Sequence, residues 1–135
     1  MSSLLEMTLR FLLAVALGAG IGYQRERAGK AAGLRTHILV SSGAALFTLV
    51  SIYGFSGVEI DISRVAAGVV VGIGFIGAGV ILRGQREKEV AGLTTAATIW
   101  ITAAIGLAAG AGMYLVSVIA TAVAAGILLL PKVRG

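Results

Sequence analysis

Cysteine is absent from the 135 residues, which excludes a disulfide frame, a thiolate metal site and a thiol nucleophile. Histidine occurs once, as His37, and proline once, at position 131. Charge is scarce: 13% of residues are charged, against about 25% in soluble domains. With one histidine and no serine or aspartate placed to form a relay with it, the chain carries no catalytic constellation. The expectation is a protein that is not an enzyme and binds no cofactor. What remains is apolar: 58% hydrophobic residues and 20 glycines, the glycines lying inside long apolar runs. That combination suits closely packed membrane helices rather than disorder.

A run of about 20 apolar residues crosses the hydrocarbon core. Five such segments read out at about 4–23, 36–54, 64–83, 93–110 and 112–130. They make one all-α, polytopic transmembrane domain over residues 1–135. The first holds Glu6 and Arg10, one helical turn apart, which either pair or begin the segment as an amphipathic stretch at the interface. These charges, and the lack of a cleavage site in "GAGIGYQRER", argue against a removed signal peptide. The last two segments are separated only by "GAG" (110–112), so four crossings stand beside five as an alternative.

Orientation follows from the connecting segments. Arg25, Arg27, Lys30 and Arg35 lie between the first two spans, Arg83, Arg86 and Lys88 after the third, and Lys132 and Arg134 in the tail. With five crossings these nine of the 11 basic residues share one side, the positive-inside pattern. The N-terminus is then outside and the C-terminus cytoplasmic. Topology accounts for the net charge of +5, and nucleic-acid binding is not needed to explain it.

The sequence repeats itself. "GAGIGYQRERAGKAAGLRT" (18–36) aligns without gaps on "GAGVILRGQREKEVAGLTT" (77–95). Gly18, Ala19, Gly20, Arg27, Ala32, Gly33, Leu34 and Thr36 have identical partners. Each copy spans two crossings, so segments 1–2 and 3–4 form a parallel repeat about an axis along the membrane normal. In each copy "AGL-x-T" opens a helix, where backbone N–H groups lack partners and a threonine can cap them. Thr36 and Thr95 sit at or just inside these starts, with Thr94 beside the latter. Arg35 and His37 stand at the same depth. Either Arg35 is a headgroup anchor and His37 a packed neutral ring, or Arg35 and Arg83 form an anion or headgroup pocket at the start of the second helix.

The third segment carries Gly68, Gly72, Gly74, Gly77 and Gly79. Gly68 and Gly72 form a GxxxG pair that admits close helix approach. So many glycines suit either a tight crossing or a helix broken near its middle. Asp61 and Arg64 flank the outer start of this helix. Asp61 can cap it with Arg64 as its ion-pair partner, or Glu59 and Asp61 can meet a divalent cation weakly. Serines and threonines within the spans are expected to bond back to helix carbonyls or across to a neighbour, and Trp100 to lie in the core or against lipid.

Three ordered stretches carry a resemblance to a known family. "GAGIGYQRERAGKAAGLRTHILVSSGAALFTLVS", "DISRVAAGVVVGIGFIGAGVILR" and "GLTTAATIWITAAIGLAAGAGMY" resemble the membrane domain of the MgtC/SapB family over roughly residues 10–130. The resemblance implies a bacterial inner-membrane protein of about five helices, in a family linked to growth in low magnesium, survival of pathogens in macrophages and restraint of the ATP synthase. Longer members add a soluble cytoplasmic domain after the last helix, and this sequence, ending in "PKVRG", resembles a short member without it. Carried over by motif, the positions to weigh are Glu26, Arg27, Arg35, Thr36, His37, Asp61, Arg64, Thr94, Thr95 and the third-segment glycines. Two functions fit: a regulatory module, homo-oligomeric as a dimer or packed against other membrane proteins in the bilayer, or a small transporter or channel for Mg²⁺ or an anion such as phosphate.

Overall fold

The structure is a computed structural model that describes residues 2–55, 61–84 and 89–131. It consists of five helices: α1 (Ser2–Arg27), α2 (Leu34–Tyr53), α3 (Ser63–Gly84), α4 (Glu89–Gly110) and α5 (Tyr114–Leu128). The first four are long and apolar enough to cross a membrane. Helix α5, expected over 112–130, has 15 residues, about 22 Å at 1.5 Å per residue, less than the ~30 Å hydrocarbon thickness.

Two turns have a defined chemistry. After α1, Gly29 takes a φ of +69°, its N–H donates to Glu26 O (3.1 Å), and that of Lys30 donates to Arg25 O (3.1 Å). After α4, Gly112 takes a φ of +88°, with Gly112 N–H donating to Ala109 O and Met113 N–H to Ala108 O. Both are Schellman closures with glycine at the left-handed position. Helix α1 therefore runs past the expected boundary and takes the "QRER" stretch into the helix.

The bundle is inverted relative to a soluble protein. Ala14, Ala45 and Ala109 are its fully buried apolar centre, with Ser41, Thr48, Thr102 and Ser117 buried beside them. Most bulky side chains point outward, with Phe75 79% exposed, Leu39 69% and Leu115 71% and Trp100 also on the outside, whereas Ile21, Ile99 and Ile105 are buried. Lipid provides no hydrophobic force between helices, so small residues that permit close approach fill the seams and large ones face the solvent chains.

Three close approaches define the packing. Gly18 of α1 lies against Ser41 Oγ, and an added Cβ there would stand 2.7 Å from His37 O; one on Gly22 would stand 2.7 Å from Leu34 Cα. Gly106 of α4 lies against Ser41 O, and a Cβ on Gly110 would stand 2.8 Å from Ala45 O. Gly77 of α3 sits over Ala96, its added Cβ 3.6 Å from the Ala96 Cβ. Gly18 over His37 and Gly77 over Ala96 are equivalent contacts in the two halves of the repeat, so the sequence repeat is also a packing repeat. The bundle's central helix is α4, which contacts all four others, whereas α3 contacts α4 and one edge of α2.

Of the two expectations for the α3 glycines, the broken helix is excluded. The helix is continuous from Ser63 to Gly84, so no break exposes its backbone. Of the α3 glycines whose surroundings are described, only Gly77 packs within the chain; Gly68, Gly72, Gly74 and Gly79 meet no other atom within 4 Å. The GxxxG pairs that bring helices together here are Gly18/Gly22 and Gly106/Gly110.

Candidate functional site

Polar groups gather at the two ends of the bundle. At the end holding the α4–α5 turn, Arg10 bonds Glu6 Oε2 (3.0 Å) and Gly110 O (3.1 Å), and its guanidinium lies 5.5 Å from the centre of the Tyr53 ring. Tyr114 donates to the same Glu6 oxygen at 2.9 Å. The expected Glu6–Arg10 pair is thus formed, and it clasps α1 to the α4–α5 turn. No buried side-chain polar atom of this cluster is without a partner.

The opposite end is different. Helix α1 buries one stripe, Ala14, Gly18, Ile21 and Arg25, at alternating spacings of four and three residues. Arg25 is 4% exposed. Its Nη2 donates to Thr95 Oγ1 of α4 at 2.5 Å and to Ala31 O at 3.0 Å. Its Nε is buried without a hydrogen-bond partner. His37, on the first turn of α2, is fully buried. Its Nδ1 lies 2.8 Å from Gly33 O, and its Nε2 is buried without a partner. The Gly33 carbonyl can only accept, so Nδ1 carries a proton.

The turn between α1 and α2 is built around these residues. Ala32 takes a φ of +57°, a left-handed conformation costing an L-residue about 1–2 kcal/mol. It follows the carbonyl of Ala31 that receives Arg25. Glu26 Oε1 accepts the Leu34 N–H at 2.9 Å, and the carboxylate also suits the positive end of the α2 dipole. The expected threonine caps are therefore absent at α2: its N-cap is Gly33, with no side-chain cap bond. Thr36 is half-buried, and Thr95, well inside α4, serves as the acceptor for Arg25.

The remaining candidates spread out. Arg35 is exposed and does not share the burial of His37. Arg27 is exposed, its Nη1 donating to Tyr23 Oη at 3.0 Å. Thr94 is exposed, its carbonyl accepting from Thr98 Oγ1. At the far end Asp61 Oδ1 accepts from the Ser63 hydroxyl (2.7 Å) and N–H (3.1 Å), capping α3. Those two bonds, with the nearby charge of Arg64, hold its carboxyl below the usual carboxylate range. Arg64 makes no direct ion pair with it. Glu59 and the side chain of Arg83 lie outside the described residues, as do Arg86 and Lys88. Among the described residues no group of three or more His, Asp or Glu side chains could hold a metal ion.

Arg25 was not among the candidates drawn from the sequence, because "QRER" reads as a solvated loop. The signal was the stripe itself: extending the Ala14, Gly18, Ile21 spacing by four residues lands on Arg25.

Helices with small residues in their seams and bulky ones outside, four of them of membrane length, define a polytopic α-helical membrane protein. A family model described as the MgtC family matches residues 11–134, and the chain belongs to that family. It is 52% identical over 108 residues to "Putative magnesium transporter YhiD" of Escherichia coli K12, covering 76% of this chain and 49% of that protein. It is 48% identical over 113 residues to "Protein SrpB" of Synechococcus elongatus, covering 76% and 62%. It is 48% identical over 99 residues to "Protein MgtC" of Salmonella typhimurium 14028s, covering 73% and 41%. The chain thus spans about half the length of the curated relatives it matches. No solved structure matches it.

Proposed function

We propose that the chain is a regulatory interaction module of the bacterial inner membrane, active in magnesium limitation and ion homeostasis, that works by packing against a second copy or another membrane protein such as the ATP synthase membrane sector. One observation carries this reading: of the described α3 residues, only Gly77 is buried. Four of its glycines face open space, a surface suited to a second helix rather than to the chain's own interior. The bundle centre supports it further, since Ala14, Ala45 and Ala109 are fully buried and no carboxylate lies among them. With five crossings, α5 spanning by local thinning of the bilayer, the nine basic residues on one side support an N-terminus outside and a C-terminus in the cytoplasm.

The experiment is co-purification and cross-linking of the chain carrying Gly68→Leu and Gly72→Leu. Loss of a specific assembly, with the helical signal retained, is the expected result, and an unchanged assembly refutes the reading. Transport is the second reading, favoured by the printed name of the Escherichia coli relative. Mg²⁺ or phosphate flux into vesicles above that of empty vesicles would establish it.

A further inference from the structure

The guanidinium of Arg25 is buried and always charged, yet both of its hydrogen bonds go to neutral acceptors, Thr95 Oγ1 and Ala31 O. Among the described residues the one ion pair is Glu6–Arg10, at the other end of the bundle. Glu26, the adjacent carboxylate, is exposed and occupied with the Leu34 N–H. Buried charges are ordinarily paired, and buried polar atoms ordinarily find hydrogen-bond partners. Among the described residues this net positive charge has no counter-charge, and its Nε–H has no acceptor. His37, whose Nδ1 bonds Gly33 O two residues beyond the Ala31 carbonyl that receives Arg25, leaves Nε2 unmatched as well. Gln24 Oε1 is a third unmatched atom, but its amide group turns to Ala125 of α5, away from this pair.

We propose that Arg25 and His37 form a binding site for a phosphoryl group that keeps a hydroxyl, either free phosphate or the phosphomonoester headgroup of phosphatidic acid. The donor set selects the class. A forked guanidinium matches the oxygens of a phosphoryl group. With Nδ1 bonded to Gly33 O, the neutral His37 ring offers Nε2 as an acceptor, which a phosphate hydroxyl satisfies and a sulfate does not. Exposed Arg27, Lys30 and Arg35 surround the same end and would draw an anion toward it. A bridging water would match the hydrogen bonds of Nε and Nε2 but leave the charge uncompensated. The site is independent of the regulatory reading, since a sensor and a carrier could both use it, and a binding measurement needs neither partner nor flux.

The test uses the full chain in phosphatidylcholine nanodiscs and equilibrium binding of ³²P-labelled inorganic phosphate, at constant ionic strength set with chloride. Saturable binding is expected, with sulfate competing about tenfold less well, the cost of one unmatched buried acceptor. Arg25→Gln should abolish it and Arg35→Gln should retain it. If free phosphate does not bind but phosphatidic acid co-purifies with the wild type and is lost from Arg25→Gln, the source is a headgroup and the site stands. If neither binds, or if Arg25→Gln binds like the wild type, the site holds water and the proposal fails. Should Arg25→Gln not fold, Arg25→Lys keeps the charge but loses the fork, and should bind at least about tenfold more weakly. Wild-type affinity in that variant overturns the proposal.

Discussion

Replacing Gly110 by alanine puts a methyl group where α2 and α4 already touch. The new Cβ would lie 2.8 Å from Ala45 O, 2.9 Å from Ala45 Cα and 3.0 Å from Thr48 Cβ. Carbon atoms pack comfortably at about 3.5–4.0 Å, so the helices must separate by roughly 0.5–1 Å. The obstructing atoms belong mostly to the α2 backbone and cannot rotate aside. A gap of that size forfeits about a quarter to a half of the dispersion energy along the seam, which here includes the fully buried Ala45 and Ala109. Overpacking of this kind costs about 1–3 kcal/mol, while glycine-to-alanine in a helix returns up to ~1 kcal/mol. The net expectation is a loss of about 1–2 kcal/mol, or roughly 5- to 30-fold in the unfolding equilibrium. Gly72→Ala is the matched control, since nothing lies within 4 Å of its added Cβ; it should be neutral or slightly stabilising. Reversible unfolding in mixed micelles, followed by circular dichroism at protein-to-detergent ratios that keep the chain monomeric, measures both. A Gly110→Ala protein as stable as the wild type, or a Gly72→Ala protein equally weakened, would refute the assigned seam.

Arg10→Ala should cost about 2 kcal/mol, the scale of hydrogen bonds to a charged group, whereas Glu6→Gln, at a side chain 43% exposed, should cost clearly less. Equal losses in the same unfolding assay would contradict the central place given to Arg10. Ser41→Ala removes the bond to Ala14 O and should cost less than ~1 kcal/mol, as interhelical bonds in membranes usually do; a loss several times larger would show that more than this bond depends on the hydroxyl. At Asp61 the folded-state pKa lies below that of the unfolded chain, because the Ser63 hydroxyl and N–H favour the carboxylate. Its contribution is therefore complete above the ordinary carboxylate value of about 4 and is lost as pH falls through the lower folded value. The Ser63 amide resonance should titrate in that acid window in the wild type and stay flat in Asp61→Asn; titration at or above the ordinary value would refute the cap.

Much of the fold could be read from the apolar runs, because lipid enforces helices wherever the chain crosses it. All five helices fall where the runs predict, and the repeat reappears as Gly18 over His37 and Gly77 over Ala96. The faces were harder to read. Gly68/Gly72 and Gly106/Gly110 look alike as strings, but only the second pair meets a neighbour, since which side of an apolar helix faces lipid depends on its partners. At the site, a packed His37 ring is one of the two readings the sequence offers and the ring is buried, whereas Thr95, expected as a cap, accepts from Arg25. The cap expected of Thr36 is supplied by Glu26, which the Schellman turn at Gly29 brings back over Leu34. Arg25 escaped notice because charge pattern alone does not distinguish a solvated arginine from one that ends a buried stripe.

The helix that touches all the others is the fourth to be made. As the chain emerges from its N-terminus, α1 and α2 can close on each other through Gly18, Gly22 and Ser41. Helix α3 then finds only an edge of α2, because its main contact is α4. Until α4 arrives, α3 must wait in lipid loosely held, and Arg25 must sit at the membrane surface without the Thr95 hydroxyl. Assembly of the bundle is thus gated late in synthesis, and a ribosome paused before residue 89 would leave a half-built protein whose glycine-lined helix is open to strangers.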